Sequence, residues 1–213
     1  MANVTTSVEK VLTEVRNLQR TEIAEVAEAF DVEKQGGSST MAHKRNPITA
    51  ENACGLARIV RAMVMPTWEN AILWHERDLA NSSAERFTLS HSMILLDDIL
   101  AKSDWVLSNL VVDSQRMRAN IDAQQGLVMA ECVMLALVDK GVPREDAHEI
   151  LRRASTEALS RGVNLEEVCS KIPRISDAFN SAELSRLFEP EGHLGHSGRI
   201  VDMAVSKARE MLH

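Results

Sequence analysis

The 213-residue sequence contains no tyrosine and little glycine, proline or cysteine. Because glycine and proline supply most tight turns and helix ends, their scarcity favours long helices over turn-rich sheets. No segment sustains the alternation of apolar and polar residues that marks a strand. The three cysteines, Cys54, Cys132 and Cys169, fit reduced thiols in the cytoplasm better than a disulfide framework.

Long apolar runs and basic clusters are also missing. No run approaches membrane-spanning length, and the first ten residues are too polar for a secretion signal. The formal net charge is −7 and the lysines and arginines are scattered, so neither a nucleic acid nor a membrane is expected as a partner. The cysteines and histidines lack the paired spacing of a metal site, and the sequence indicates no cofactor.

Apolar residues recur at helical spacing along most of the chain. The spacing predicts a first helix near 4–29 and a second after Pro47, which Pro66 should interrupt. A third helix should begin near Ser82 and carry an apolar stripe that suits a long bundle helix. The stripe consists of Leu89, Met93, Leu96, Leu100, Leu107 and Leu110.

The segments that follow are shorter. A fourth helix after Asp113 should end at Gly141, and a fifth should run from Pro143 to about Gly162. Residues 180–183 have the pattern of a capping box, and a final amphipathic helix closes the sequence.

The predicted fold class is therefore all-α. Residues 1–141 are interpreted as the C-terminal part of a long-helix bundle domain, and residues 142–213 as a small C-terminal helical domain.

Residues 36–47 combine features that packing alone does not require, in the sequence GGSSTMAHKRNP. The glycines permit backbone conformations closed to other residues, and the serines and cations suit an anionic ligand. Asn46 and Pro47 predict a helix start, with Asn46 as N-cap and Pro47 in the first turn. From composition alone, a solvated linker between helices explains the segment equally well.

Residues 74–86 form a second polar segment, WHERDLANSSAER. Ser82 and Glu85 have capping-box spacing, which puts Arg86 in the first turn of a helix. The helix dipole opposes a cation there, and a bound anion would remove that conflict. Together with Arg77, Ser82 and Arg86 would form a phosphate clamp, because guanidinium groups match phosphate oxygens.

The alternative for this segment is a surface salt network in which both arginines pair with Glu76, Asp78 and Glu85. Trp74 is expected in the core rather than as a platform on which a base stacks.

The two segments together resemble the fumarase/aspartase superfamily of lyases, whose signature is usually written G-S-S-x-M-P-x-K-x-N-P. The clear departure is Ala42, where that superfamily nearly always has proline. The second segment is similar to that of the adenylosuccinate lyase family, whereas relatives that cyclise carboxymuconate differ after His-Glu-Arg. The resemblance covers nearly the whole chain and is clearest at 15–140.

The resemblance implies a β-elimination in purine biosynthesis that releases fumarate from adenylosuccinate and from the succinyl-carboxamide imidazole ribotide. Ser38 would be the catalytic base, with its alkoxide stabilised by loop amides and cations. Glu51 would contact the substrate and support the acid histidine. The residues implied in substrate binding are Ser39, Lys44, Asn46, Arg77, Ser82 and Arg86. Of these, Lys44 and Asn46 would hold the succinyl carboxylates, and the last three would hold the phosphate of the nucleotide or of the product AMP.

Enzymes of the family are roughly twice as long, and their histidine motifs lie upstream of the signature. The chain is therefore expected to be the C-terminal half of such a protein and to be inactive alone. The resemblance also implies a homotetramer in which each active site draws on three subunits. The signature loop, about 31–43, is expected to be mobile without ligand, since Ala42 lacks the stiffness of proline.

Two other functions fit the sequence. One is a different fumarate-releasing lyase, of the argininosuccinate lyase or aspartase type. The other is a helical assembly module that keeps the bundle and carries out no chemistry.

Overall fold

The computed structural model describes residues 1–29 and 45–212, and these fold almost entirely into helices. The helices are α1 (Ala2–Leu18), α2 (Ile48–Ala62), α3 (Val64–Glu69), α4 (Ala80–Ser108), α5 (Ser114–Asp122), α6 (Ala130–Asp139), α7 (Arg144–Arg161), α8 (Leu165–Cys169), α9 (Pro173–Ser176), α10 (Ser181–Leu187) and α11 (Ser197–Met211). Two-residue strands, β1 (Val26–Ala27) and β2 (Val111–Val112), pair antiparallel. The all-α fold class is confirmed.

Residues 1–117 form one compact unit around α1, α2 and α4. The first two helices are antiparallel, since Glu9 near the start of α1 pairs with Arg61 near the end of α2. The residues of α2 that are buried are mostly small, which lets the neighbouring helices approach closely. The core of this unit consists of Leu12, Val15, Val26, Ala50, Ala53, Cys54, Ala57, Val60, Ile99 and Val106.

Helix α4 runs antiparallel to α2 and has two different faces. Lys102 donates a hydrogen bond to Asn52 (2.7 Å), whereas Thr88 lines a small cavity with Val60 at the other end of α2. The face that α4 buries consists of Thr88, Ser92, Ile99, Ser103 and Val106. The apolar stripe predicted from the sequence lies mostly outward, with Met93 59% exposed and Leu89, Leu100 and Leu107 also exposed.

The second compact unit begins at Arg118 and has a core of its own. Its buried residues are Val133, Met134, Leu137, Ala147, Leu151, Ala154, Ala158, Leu165, Val168, Cys169, Ile175, Phe179 and Leu184. Helix α7 follows Pro143 and ends at Gly162, which has the left-handed conformation (φ +63°) of a helix C-cap. The capping box is present, because the Asn180 side chain accepts from the Glu183 amide and the Glu183 carboxylate accepts from the Asn180 amide, both at 2.9 Å.

Two predicted helices are shorter in the structure. Helix α1 ends at Leu18 rather than near 29, because the chain turns through Ala24 (φ +53°) into β1. The predicted fourth helix is broken into α5, a 3₁₀ turn and α6 by Gln125 (φ +51°) and Gly126 (φ +78°). Glycine is required at 126, since an added Cβ would lie 2.9 Å from the Asn164 side chain.

The interruption expected at Pro66 is present. Helix α2 ends at Ala62 and α3 begins at Val64. The proline ring clashes with the carbonyl four residues earlier, which is that of Ala62, so the break falls where the sequence predicts it.

Within the described ranges, no single helix is long and apolar enough to cross a membrane, although the bent pair 114–122 and 127–139 passes on length and composition alone. The same ranges contain no group of three His, Cys, Asp or Glu side chains placed to hold a metal ion. The domain division at 141–142 stays a prediction.

Candidate active site

A cleft of about 710 Å³ lies where α1 ends and α2 begins. Its walls are polar and rich in arginine. The lining residues are Thr13, Arg16, Asn17, Gln19, Arg20, Thr21, Arg45, Asn46, Pro47 and Glu51. Three arginines and one carboxylate, Glu51, line the cleft, and Arg20 also pairs with Glu22 (3.7 Å). A lining richer in guanidinium groups than in carboxylates suits an anionic ligand.

Arg16, which α1 contributes to the cleft wall, has a buried side-chain donor without a partner among the described residues. The donor is the Nε atom of the guanidinium group. A buried donor without a partner is costly, and an acceptor atom of a bound anion would remove that cost.

Two of the residues predicted from the sequence, Asn46 and Glu51, meet in this cleft. Both are exposed, and Glu51 lies in the first turn of α2. The structure therefore brings together the described part of the first segment and the carboxylate that follows it.

The start of α2 differs from the prediction. Pro47 occupies the N-cap position, and the amides of Thr49 and Ala50 donate to the Glu28 carboxylate (3.1 and 3.0 Å) rather than to the Asn46 side chain. The expectation that Asn46 caps this helix is wrong, because a residue distant in sequence supplies the acceptors.

The second segment forms a tight turn that Asp78 holds. The Asp78 carboxylate accepts from the amides of Ala80 (2.8 Å) and Trp74 (3.0 Å). These bonds, first that of Ala80, lower the pKa of Asp78 below its usual range. His75 has a positive φ of 50°, which is uncommon for a residue other than glycine and is common at functional sites. Trp74 is 78% exposed, so its expected place in the core is wrong.

Helix α4 begins at Ala80, two residues before the predicted start. The expected capping box is replaced by a different contact, since Glu85 accepts from the Asn81 side chain (3.1 Å). Ser82 is half-buried and Arg86 lies exposed in the second turn.

Among the described side chains, the arginines of this segment do not form ion pairs with the carboxylates beside them. Asp78 accepts from backbone amides and Glu85 from Asn81. In the described part of the chain, neither Arg77 nor Arg86 has an ion-pair partner, and both are exposed. These contacts count against the surface salt network and leave both cations available to an anion.

The two groups of residues lie at opposite ends of α2. Asn46 and Glu51 lie at its start, whereas residues 74–86 follow its end and α3. Fifteen residues of helix span about 22 Å at 1.5 Å per residue. One chain therefore does not bring the cleft and the arginine pair of the second segment together.

Several predicted residues lie outside the described ranges. These are Ser38, Ser39, Ala42 and Lys44, together with the expected mobility of residues 31–43.

Comparison with known proteins identifies the relatives of the chain. A family model described as adenylosuccinate lyase C-terminus matches residues 126–204, and one described as lyase matches residues 1–62. The chain is 44% identical over 212 residues to an adenylosuccinate lyase from Archaeoglobus fulgidus and 43% identical to one from Methanothermobacter thermautotrophicus, with all of this chain covered in both. The chain is thus similar to adenylosuccinate lyases along its whole length. It covers 48% and 47% of those two relatives, so it spans about half the length of the curated relatives that it matches.

Solved structures of related enzymes share the fold of this chain. A 3-carboxy-cis,cis-muconate lactonizing enzyme from Pseudomonas putida has a TM-score of 0.87 and 31% identity, over 100% of this chain and 46% of that one. A fumarate lyase from Mesorhizobium sp. BNC1 has a TM-score of 0.84 and 28% identity, over 96% of this chain and 44% of that one. The likeness supports the helical bundle.

Sequence reasoning missed three residues of this lyase-family site: Arg16, Arg20 and Glu28. The arginines could have been found as an i,i+4 pair of cations on one face at the end of α1. Glu28 follows Val26 at strand spacing, so both side chains point to the same side of the chain, and both are buried. A carboxylate on a buried face is the signal that it has partners.

Proposed function

We propose that this chain supplies the base-bearing and phosphate-binding parts of an adenylosuccinate lyase. The reaction is a β-elimination that releases fumarate from adenylosuccinate or from the succinyl-carboxamide imidazole ribotide in purine biosynthesis. The observation that carries the proposal is the cationic cleft at Asn46 and Glu51, in a chain 44% identical to a curated enzyme of that name over 212 residues.

The cleft supports the assignment of the succinyl end of the substrate. In this proposal Lys44 and Asn46 bind the two carboxylates of the succinyl group, and the arginines of the cleft wall attract these anions. The orphaned Nε of Arg16 is consistent with a ligand that carries acceptor oxygens.

The second segment supports the assignment of the phosphate end. Arg77 and Arg86 are exposed, and two of the three carboxylates beside them, Asp78 and Glu85, are bonded to other donors. In the proposal they bind the phosphate together with the Ser82 hydroxyl, which donates a hydrogen bond to a phosphate oxygen.

The chemistry itself requires a base and an acid. Ser38 removes the proton beside a succinyl carboxylate, the resulting aci-carboxylate is stabilised by nearby cations, and the C–N bond then breaks to release fumarate. Glu51 contacts the substrate and orients the acid histidine, and Ser39 adds a hydroxyl to the binding site. The acid histidine belongs to the half of the curated relatives that this chain does not match.

Assembly follows from the separation of the two groups. Residues at opposite ends of α2 meet at one substrate only when a second copy supplies one of the groups. The outward apolar stripe of α4 offers the surface through which copies associate, in a homotetramer with long helices at its centre. The three cysteines, Cys54, Cys132 and Cys169, are all free, which supports a location in the reducing cytoplasm.

The test is a fumarate-release assay on this chain alone and on this chain mixed with the upstream half of the Archaeoglobus fulgidus relative. We expect no turnover alone, because an acid step contributes about 10²–10⁴-fold and further substrate contacts are missing. The mixture should be active, and Ser38→Ala should abolish turnover with binding largely retained.

The phosphate assignment has its own variant. Arg86→Ala should raise KM about tenfold, since hydrogen bonds to charged groups contribute about 1.5–3 kcal/mol. Arg199→Ala is the matched control, because Arg199 is an exposed arginine of α11, and it should change neither KM nor kcat. Turnover by the chain alone would show that the acid has been misassigned. Folded mixtures that bind no product and release no fumarate would favour the assembly module, and cleavage of another succinyl amine would favour a different lyase of the superfamily.

A further inference from the structure

The segments on either side of residues 30–44 are connected by hydrogen bonds of two side chains, Gln19 and Glu28. Gln19, which caps the end of α1, accepts from the Glu28 amide through Oε1 (2.8 Å) and donates to the Arg45 carbonyl through Nε2 (3.2 Å). One amide side chain therefore uses its acceptor on one flank and its donor on the other.

Glu28 continues this connection to α2. Its two carboxylate oxygens accept separately from the amides of Thr49 (3.1 Å) and Ala50 (3.0 Å), and the residue is only 5% exposed. Amides in the first turn have no partner inside the helix, so these two depend on Glu28. Charge-assisted bonds from a buried carboxylate to a helix start are both strong and directional.

The consequence for the cleft is geometric and electrostatic. The positive end of α2 is occupied by a carboxylate of the protein, so a substrate anion there is bound by side chains and not by the helix end. The same bonds fix the turn that carries Asn46 and Glu51 against α1, which carries Arg16 on the facing wall.

We propose that Gln19 and Glu28 are positioning residues of the lyase site: they hold the first turn of α2 so that Asn46 and Glu51 face the arginine wall. The proposal rests on the proposed function for its substrate, and on the hydrogen bonds alone for the fixed turn. Gln19 lines the cleft and Glu28 does not, but both ends of the Gln19 amide are bonded to the backbone, so each residue acts through Asn46 and the start of α2.

The first test is site-resolved hydrogen exchange on the 213-residue chain. Thr49 and Ala50 should be protected although they lie in a first turn, and Glu28→Ala should speed their exchange about tenfold or more. Glu28→Gln keeps one acceptor oxygen and should leave one of the two amides protected. Glu14→Gln, an exposed carboxylate on α1, is the control and should change neither amide.

Exchange elsewhere shows whether a variant has merely unfolded. Protection in α7, which belongs to the other compact unit, should be unchanged in all of these proteins. Unprotected Thr49 and Ala50 in the unaltered chain, or protection that survives Glu28→Ala, would overturn the proposal.

The second test separates positioning from folding by using two probes. Fumarate binding, followed through the side-chain amide signal of Asn46, should weaken about tenfold in Glu28→Ala and in Gln19→Met, which loses both amide contacts and adds no charge to the cleft. AMP affinity should stay within about twofold, because the arginines of the second segment lie at the other end of α2. Equal fumarate affinity in the variants would overturn the positioning role. Failure of the unaltered chain to bind either probe would contradict the proposed function, while the exchange of Thr49 and Ala50 would still decide whether Glu28 fixes the turn.

Discussion

The two compact units use their apolar residues in opposite ways. Most of the second unit buries its apolar residues within itself, as α7 does with Ala147, Leu151, Ala154 and Ala158, although its last helix, α11, buries none. The first unit packs α4 through Thr88, Ser92 and Ser103 with only two aliphatic residues, Ile99 and Val106, and leaves the larger apolar stripe outside. All three tryptophans, Trp68, Trp74 and Trp105, are exposed in the first unit. The difference indicates that the core around α7 is complete by itself, whereas the apolar faces of α4 and α11 are open to further chains.

The largest expected effect tests whether the second unit is closed. Leu165→Ala, at a fully buried position, should lower the free energy of unfolding of that unit by about 2–5 kcal/mol, because it leaves a cavity. Circular dichroism follows both units, whereas tryptophan fluorescence reports on the first unit alone, so urea unfolding separates them. Leu159→Ala, at a position 66% exposed, should change the free energy by no more than about 0.5 kcal/mol. Equal losses in the two variants would contradict a closed core.

The next effect tests the open surface of the first unit. Met93→Glu places a charge on the outward stripe and should weaken association by about two orders of magnitude, or about 2.7 kcal/mol. Sedimentation at tens of micromolar would show the change, and tryptophan emission should shift to longer wavelength as Trp105 is released to water. Leu159→Glu, which is equally exposed but lies in the second unit, should leave association unchanged. A well-behaved monomer before any substitution would remove the distinction between the units.

A smaller effect is expected from the capping box at the start of α10, in the second unit. Asn180→Ala removes the acceptor of the capping box and should cost about 1 kcal/mol, whereas Asn180→Gly should cost a few tenths. Thermal unfolding followed by circular dichroism would measure both. If the unfolding transition followed by tryptophan fluorescence also moved to lower temperature, the two units would unfold together.

The smallest effect concerns an exposed ion pair on α7. Hydrogen bonds from Arg152 and then from Arg153 lower the pKa of Glu149 from 4.5 to about 2. Because the folded pKa is the lower one, the stabilisation is present above about pH 4.5 and is lost as the pH falls towards 2. Glu149→Gln should therefore destabilise slightly at pH 7 and not at pH 2. In a chain that also carries Arg152→Gln and Arg153→Gln, the same change should have no effect at either pH.

Periodicity predicted the helices better than their surroundings. The break at Pro66 and the ends of α7 at Pro143 and Gly162 follow from local steric rules, and the structure confirms them. The early end of α1 was missed because residues 19–29 keep helical composition, and only pairing with residues 111–112 draws them out of the helix. Long-range pairing of this kind leaves no periodic signal in either segment.

The stripe of α4 shows a different limit. Its spacing correctly predicts a long bundle helix, yet the face that the chain itself buries is the one with Thr88, Ser92 and Ser103. A periodic pattern reports that an apolar face is covered, and it does not report whether the same chain or another copy covers it.

At the candidate site, residue types were easier to predict than partners. The meeting of Asn46 and Glu51 follows from their spacing across a helix start. The carboxylate that caps that start, Glu28, lies about twenty residues upstream. One donor to Asp78, the amide of Ala80, follows a local turn rule, whereas the other, the amide of Trp74, lies four residues upstream in an irregular turn. The roles of Ser38, Ser39 and Lys44 stay predictions.

Arg116 has a consequence for the order of events during protein synthesis. Its guanidinium donates to the carbonyls of Ile23 (3.0 Å) and Glu22 (3.1 Å), residues made 93 and 94 positions earlier. At about 5–20 residues per second, the ribosome needs about 5–20 s to reach Arg116 after it has made the segment that Arg116 holds. For that interval the nascent chain presents this segment without its partner, so the first unit is exposed to chaperones and proteases before it can close.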